Sequence, residues 1–176
     1  MTDEETTGEI ESKPGGSSVM DLLRHRRQLR AQEITHDIDI PGYGGDLFAR
    51  YHLIDGKQLN AIASRIQKTE RDPAGRNLLA SVDVMVAACD GLYARDRGVE
   101  RGLHEILGEE TPVRYDVRLA QFLGFEGELG DAPTARGVVL ALFNGNDLAV
   151  MSHSSRLQRW TMGAENELDE EFLGEL

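Results

Sequence analysis

Three stretches of this sequence bring together residue types that could do chemistry. His36, Asp37 and His52 are the first, because two imidazoles and a carboxylate are metal donors. Ile34, Ile38 and Ile40 share one parity around His36, and Leu47, Ala49, Tyr51 and Leu53 share one parity further on. A hairpin turned at Pro41–Asp46 would set the two histidines facing each other with Asp37 nearby. The spacing fits no standard zinc pattern, so polar strand residues are the preferred account. The second stretch is Ser152-His153-Ser154, a serine beside an imidazole. Adjacent residues on a helix point about 100° apart, and no Gly-x-Ser-x-Gly elbow is present. The third is the glycine cluster Gly42, Gly44 and Gly45. It lacks the Gly-Lys-Ser/Thr ending of a phosphate loop and runs into a strand pattern, not a helix. Cys89, the sole cysteine, falls on an apolar stripe and reads as a packing thiol. No two carboxylates are set apart by apolar neighbours that would split their pKa values. The expectation is a chain with no catalytic residue, metal or cofactor, unless the fold assembles a site from distant positions.

The elements that carry these residues are legible from periodicity. The organising stretch is Thr134 to Trp160. Ala135, Val138, Val139 and Leu142 mark one helical face, with Thr134 as cap. Asn144-Gly145-Asn146-Asp147 breaks that helix and caps the next, on which Val150, His153, Leu157 and Trp160 recur every three or four residues. These four read first as core, and Trp160 second as a partner-binding anchor. Upstream, Ser17 to Gln32 predicts a helix carrying the one basic cluster, Arg24, Arg26, Arg27 and Arg30. It reads as a solvated face, or else as a dock for an acidic segment such as this chain's own tail. Leu59, Ile62, Ala63 and Ile66 predict another helix. Asp72-Pro73 starts a third, whose stripe runs Leu78, Val82, Met85, Cys89. A second short strand pair is expected over about 92–106, with a turn at Asp96-Arg97-Gly98 and its second strand through Leu103–Ile106, where helix competes. Asp116 caps a helix that stops at Gly124. The fold class is therefore α+β: mainly helical, with an N-terminal hairpin over about 34–54.

Composition sets outer bounds. With 176 residues the chain can form one domain, here 17–162, and bury a real core. Residues 1–16 hold five acids against Lys13 and read as a disordered tail. Residues 163–176 hold six acids and no base and read as a flexible acidic tail, with Phe172 and Leu173 as isolated hydrophobes that could order on binding. The net charge of −12 argues against nucleic acid and anionic membranes as partners. No run approaches the roughly eighteen apolar residues of a membrane span, and mean hydropathy is −0.40. One cysteine and no early apolar segment point to a reducing cytosol.

Taken in order, four blocks resemble a known family. They are IDIPGYGGDLFARYHLI, LLASVDVMVAACDGLYAR, PVRYDVRLAQFLGF, and TARGVVLALFNGNDLAVMSHSSRLQRW with the acidic end ELDEEFLGEL. Together they resemble the tail assembly chaperones of long-tailed bacteriophages, of the kind found in phages of actinobacteria. The resemblance spans about Ile38 to the C-terminus and carries no catalytic signature. It implies a non-enzymatic protein of the host cytoplasm, absent from the mature virion. It further implies that the protein coats the tape-measure protein until tail-tube subunits polymerise around it. The family often makes a longer, frameshifted form of the same chain, a further partner beside weak self-association. Partner-binding candidates on this reading are Val150, His153, Leu157, Trp160, Phe172 and Leu173. The competing expectation is a structural virion component, such as a head–tail adaptor or tail-completion protein.

Overall fold

The structure is a computed structural model. It describes the backbone of residues 19–174 and the side chains of residues 19–26 and 34–163. The segment 1–16 lies outside the described residues.

The chain is α+β. In order it forms α1 (Val19–Glu33), β1 (Thr35–Asp39), β2 (Leu47–His52), α2 (Gly56–Thr69), α3 (Pro73–Ala88), β3 (Cys89–Asp96), β4 (Val99–Gly102), α4 (Leu103–Leu107), α5 (Val117–Leu123), a 3-10 turn (Glu126–Glu128), α6 (Ala135–Leu142) and α7 (Asp147–Gly174). The four strands make one antiparallel sheet in the order β1-β2-β3-β4. Helices α2 and α3 are inserted between its two central strands.

Local chemistry explains most boundaries. Asp55 and Gln58 form a reciprocal capping box on α2. Asp72, Asp116 and Thr134 each accept a backbone N–H in the first turn of α3, α5 and α6. Pro73 stands in the first turn of α3, where a missing N–H costs nothing. The Oδ1 of Asn146 accepts from the Ala149 N–H at the start of α7. Asn144 and Gly145 turn the chain with φ of 53° and 66°. The β3–β4 hairpin turns at Arg97-Gly98, both at positive φ. A two-residue turn of that hand matches the twist of the strands.

One sheet face is core. Ile38, Leu47, Ala49, Tyr51 and Leu92 are buried there together with Val82, Met85 and Ala88 of α3, Val138, Val139 and Leu142 of α6, and Val150 and Leu157 of α7. Contacts of α3 with α7, α6 and β2 put α3 at the centre. On the other face Phe48 stacks on its cross-strand partner Tyr93 at 5.4 Å. Arg95 lies over Phe48 and Arg50 over Tyr93, at 4.1 and 4.3 Å from the ring centroids. Asp37, Asp39 and Glu100 pair those two guanidinium groups. Beneath that lid of cations and carboxylates Phe48 is fully buried.

Two expectations are corrected. The strand expected at Leu103–Ile106 is helix α4, and its place in the sheet is taken by Val99–Gly102. Gly102 makes the close approach possible, because a Cβ there would lie 2.3 Å from the His104 ring. Cys89 is not on α3: the helix stops at Ala88, and Cys89 is already extended as the first residue of β3. Its helical spacing concealed the change, because a residue buried from a strand and one buried from a helix are both apolar. Within the segment read from composition as a flexible acidic tail, the backbone of 163–174 continues the helix α7. Met162, Ala164, Glu165, Glu167, Leu168, Glu170 and Glu171 are strong helix formers, and no proline interrupts them.

Candidate functional site

The hairpin register separates the candidate metal donors. His36 is opposite Tyr51 and His52 opposite Thr35, so the two histidines project from opposite faces of the sheet. His36 stacks on Trp160, with centroids 4.9 Å apart and planes 16° apart. The Nδ1 of His52 lies 2.7 Å from the Asp90 carboxylate. Asp37 receives two hydrogen bonds from Arg50, at 2.8 and 2.7 Å. Asp90 reaches His52 because the β2–β3 ladder slips between Arg50 and Tyr51: Arg50 is opposite Gly91 and Tyr51 opposite Cys89, leaving Asp90 as the bulged residue. Among the described residues no group of three His, Cys, Asp or Glu side chains could hold a metal ion. The Gly42, Gly44 and Gly45 cluster turns between two strands, with the Ile40 N–H donating to the Leu47 carbonyl across it.

Chemically distinctive groups do meet, in the core. Tyr51 of β2, Tyr115 of the segment leading into α5, and His153 of α7 converge. The Tyr51 hydroxyl is hydrogen bonded to the Tyr115 hydroxyl and lies 2.8 Å from the His153 Nε2. The imidazole is set edge-on to Tyr51 and to Phe143. Its Nδ1 is buried with no partner, as is the Thr161 hydroxyl two turns further along α7. Burial pushes the His153 pKa down to about 4, with the Arg156 charge acting in the same direction and Asp39 opposing. Burial also pushes the two tyrosines and the Cys89 thiol well above their ordinary values. At neutral pH the cluster is an uncharged imidazole beside two intact phenols and an intact thiol. Such a set holds no activated nucleophile, and an imidazole of that basicity is a poor proton acceptor at pH 7. What it does is tie the sheet, the α5 approach and α7 together by directional bonds inside an apolar core.

A second polar cluster lies at the α2–α3–α6 junction. Asp83 of α3 is 8% exposed and accepts from Arg136 at 2.6 Å through both oxygens, and from Arg65 at 2.7 Å. Burial pushes its carboxyl up, but the hydrogen bonds from Arg136 and Arg65 outweigh that and leave it below the usual range.

The expected partner-binding residues divide. Val150, His153 and Leu157 are buried, so a partner could reach them only by displacing α7; they are core. Ser154 is buried beside His153 and accepts from Gln158 at 3.2 Å, whereas Ser152 faces outward, so no serine–histidine pair forms. Trp160 is half-buried against His36. The side chains of Phe172 and Leu173 lie outside the described residues.

Sequence reading missed both polar clusters. Asp83 carried a signal: an acid between Val82 and Val84 on an apolar helix must find a cation or stay out of the core. Tyr51 and Tyr115 carried none, because nothing in their local sequence states which hydroxyl each will meet. Large apolar side chains stand exposed on α7 itself, at Leu148 and Met162, on β4 at Val99, and on three other helices. Val19, Met20, Leu22 and Leu23 lie on α1, Ile106 and Leu107 on α4, and Val117 and Phe122 on α5. No described helix is long and apolar enough to cross a membrane. No family model, curated protein or solved structure matches the chain.

Proposed function

We propose that this chain is a tail assembly chaperone of a long-tailed bacteriophage, which keeps the tape-measure protein soluble while the tail tube assembles. The observation that carries the reading is the ordered resemblance of the four blocks between Ile38 and the C-terminus to that family. The physical character of the chain supports it. A tape-measure helix displays long apolar stripes before assembly, and uncovered stripes aggregate. A cover must therefore offer apolar contact and remain soluble itself. The exposed apolar residues of α1, α4 and α5 supply the first requirement. The net charge of −12 supplies the second. Many weakly bound copies along one helix hold by avidity and still yield to polymerising tube subunits.

The test is mass spectrometry of infected cells beside purified virions, with co-expression of the chain and the tape-measure protein. The chaperone reading expects abundance in the lysate, absence from virions, and a tape-measure protein that is soluble only with this chain present. A fixed stoichiometric amount in virions would overturn it in favour of a structural tail or head–tail component.

A further inference from the structure

Between Leu148 and Met162, α7 has two opposite faces. The inner one is core, with Val150, Leu157 and Thr161 buried on it. Thr161 keeps the helix seated almost to the end of this stretch. At about 100° per residue, the opposite side carries Leu148, Ser152, Ser155, Arg159 and Met162. Leu148, Ser155 and Met162 stand seven residues apart and make a nearly straight line about 21 Å long. Leu148 is 74% and Met162 55% exposed, with Met151 half-buried beside the line. The short side chains of Ser152 and Ser155 leave a dip between the two apolar ends. A seven-residue repeat of this kind is the seam along which one helix packs on another. Helices α4 and α5 also expose apolar residues, but at five and seven residues they are too short for such a seam.

The charges on this face are as unusual as its apolar residues. In a chain with 31 acids and 19 bases, no Asp or Glu occurs from 148 to 162. Its exposed charges are Arg156 and Arg159, on one flank of the line. The Arg159 Nε donates to the Ser155 carbonyl of its own helix at 3.4 Å. Among the described residues neither guanidinium has a carboxylate partner.

We propose that this outer side of α7 seats a helix of the tape-measure protein. The seated helix sets a bulky apolar residue over Ser155 and acidic residues along the flank that meets Arg156 and Arg159. The assignment rests on the chaperone reading and adds to it the face used and the pattern of the segment held. Charge complementarity selects the acidic flank. It also disfavours a second copy as the occupant. Two α7 faces laid together about Ser155 would match Leu148 with Met162, but would set Arg156 and Arg159 against their own counterparts. Connectivity excludes this chain's own C-terminal end, because α7 runs unbroken to Gly174 and cannot fold back along itself.

The test co-expresses the full chain with the tape-measure protein and compares two variants with the native chain. Arg156→Glu with Arg159→Glu should weaken tape-measure binding about tenfold. Leu148→Glu with Met162→Glu should abolish it. All four side chains are exposed, so both variants should keep the native unfolding midpoint, which separates a lost contact from a lost fold. Peroxide oxidation followed by mass spectrometry gives a direct readout: Met162 should oxidise in the free chain and be shielded in the complex. A native chain that leaves the tape-measure protein insoluble overturns the chaperone reading and this assignment with it. A native chain that solubilises it, with both variants equally effective, overturns the assignment alone. So does shielding of Met162 without the tape-measure protein. Shielding that grows with protein concentration would identify a second copy as the occupant, and shielding lost on deletion of residues 1–18 would identify that segment.

Discussion

His153 shows how a single buried side chain ties stability to pH. Its folded pKa of about 4 lies below the roughly 6.5 of an unfolded histidine. Between those values the unfolded chain binds more protons than the folded one, so stability rises with pH there. The contribution is complete above about pH 6.5 and is lost as pH falls towards 4, and it amounts to roughly 3 kcal/mol. Urea unfolding at pH 7 and pH 5 should show about 2 kcal/mol of that fall in the native chain, and His153→Gln should flatten it. A native midpoint unchanged between the two pH values would mean that the imidazole reaches solvent. Asp83 acts differently. Asp83→Asn keeps the shape but removes the charge that two guanidinium groups share. Both arginines can turn to water, being 61% and 41% exposed, so the expected loss is about 2 kcal/mol in urea unfolding at pH 7. Of these two residues, Asp83 was legible as an acid in need of a partner. His153 was legible only as a member of a buried stripe, because its tyrosine partner comes from a strand about a hundred positions away.

At the scale of elements, signals written within a few residues were readable. Thr134, Asp72, Asp116 and Asn146 stand at the helix starts their side chains suit. Thr134→Ala should therefore cost about 1 kcal/mol, measured as a shift in the chemical unfolding midpoint. The hairpin over 34–54 was readable from alternation. Less readable were elements decided by distant contacts. Cys89 fits the α3 stripe, yet the ladder to Tyr51 and the Leu92 N–H donating to the Val113 carbonyl take it into the sheet. Leu103 is apolar and buried in either conformation, so pattern could not choose strand or helix for it. Trp160 illustrates the intermediate case. It packs on His36 but stays half-buried, so Trp160→Ala should cost about 2 kcal/mol, less than the roughly 3–5 of a fully enclosed aromatic.

At the scale of the whole molecule, the buried core takes no residue from the described part of α1. Every residue of the core cluster lies between Ile38 and Leu157, and the described α1 side chains are exposed. A chain lacking residues 1–33 should accordingly unfold in one cooperative transition, within about 1 kcal/mol of the full chain at protein concentrations low enough to suppress association. A larger loss, or a broadened transition, would place α1 in the body. Sequence totals did not show that the helix α7 continues to Gly174, since acidity alone does not distinguish coil from helix.

The order of the strands also has a consequence in time. The hairpins β1–β2 and β3–β4 each close over a handful of residues. Joining them into one sheet requires β2 to meet β3 across everything from 53 to 88. Short closures cost little entropy and form early, whereas the long one must await the contacts that reward it. Helix α3 runs into β3 with no loop between them, so the docking of α3 delivers the second hairpin to the first. The rate of refolding is then set less by either hairpin than by how quickly that one helix finds its seat.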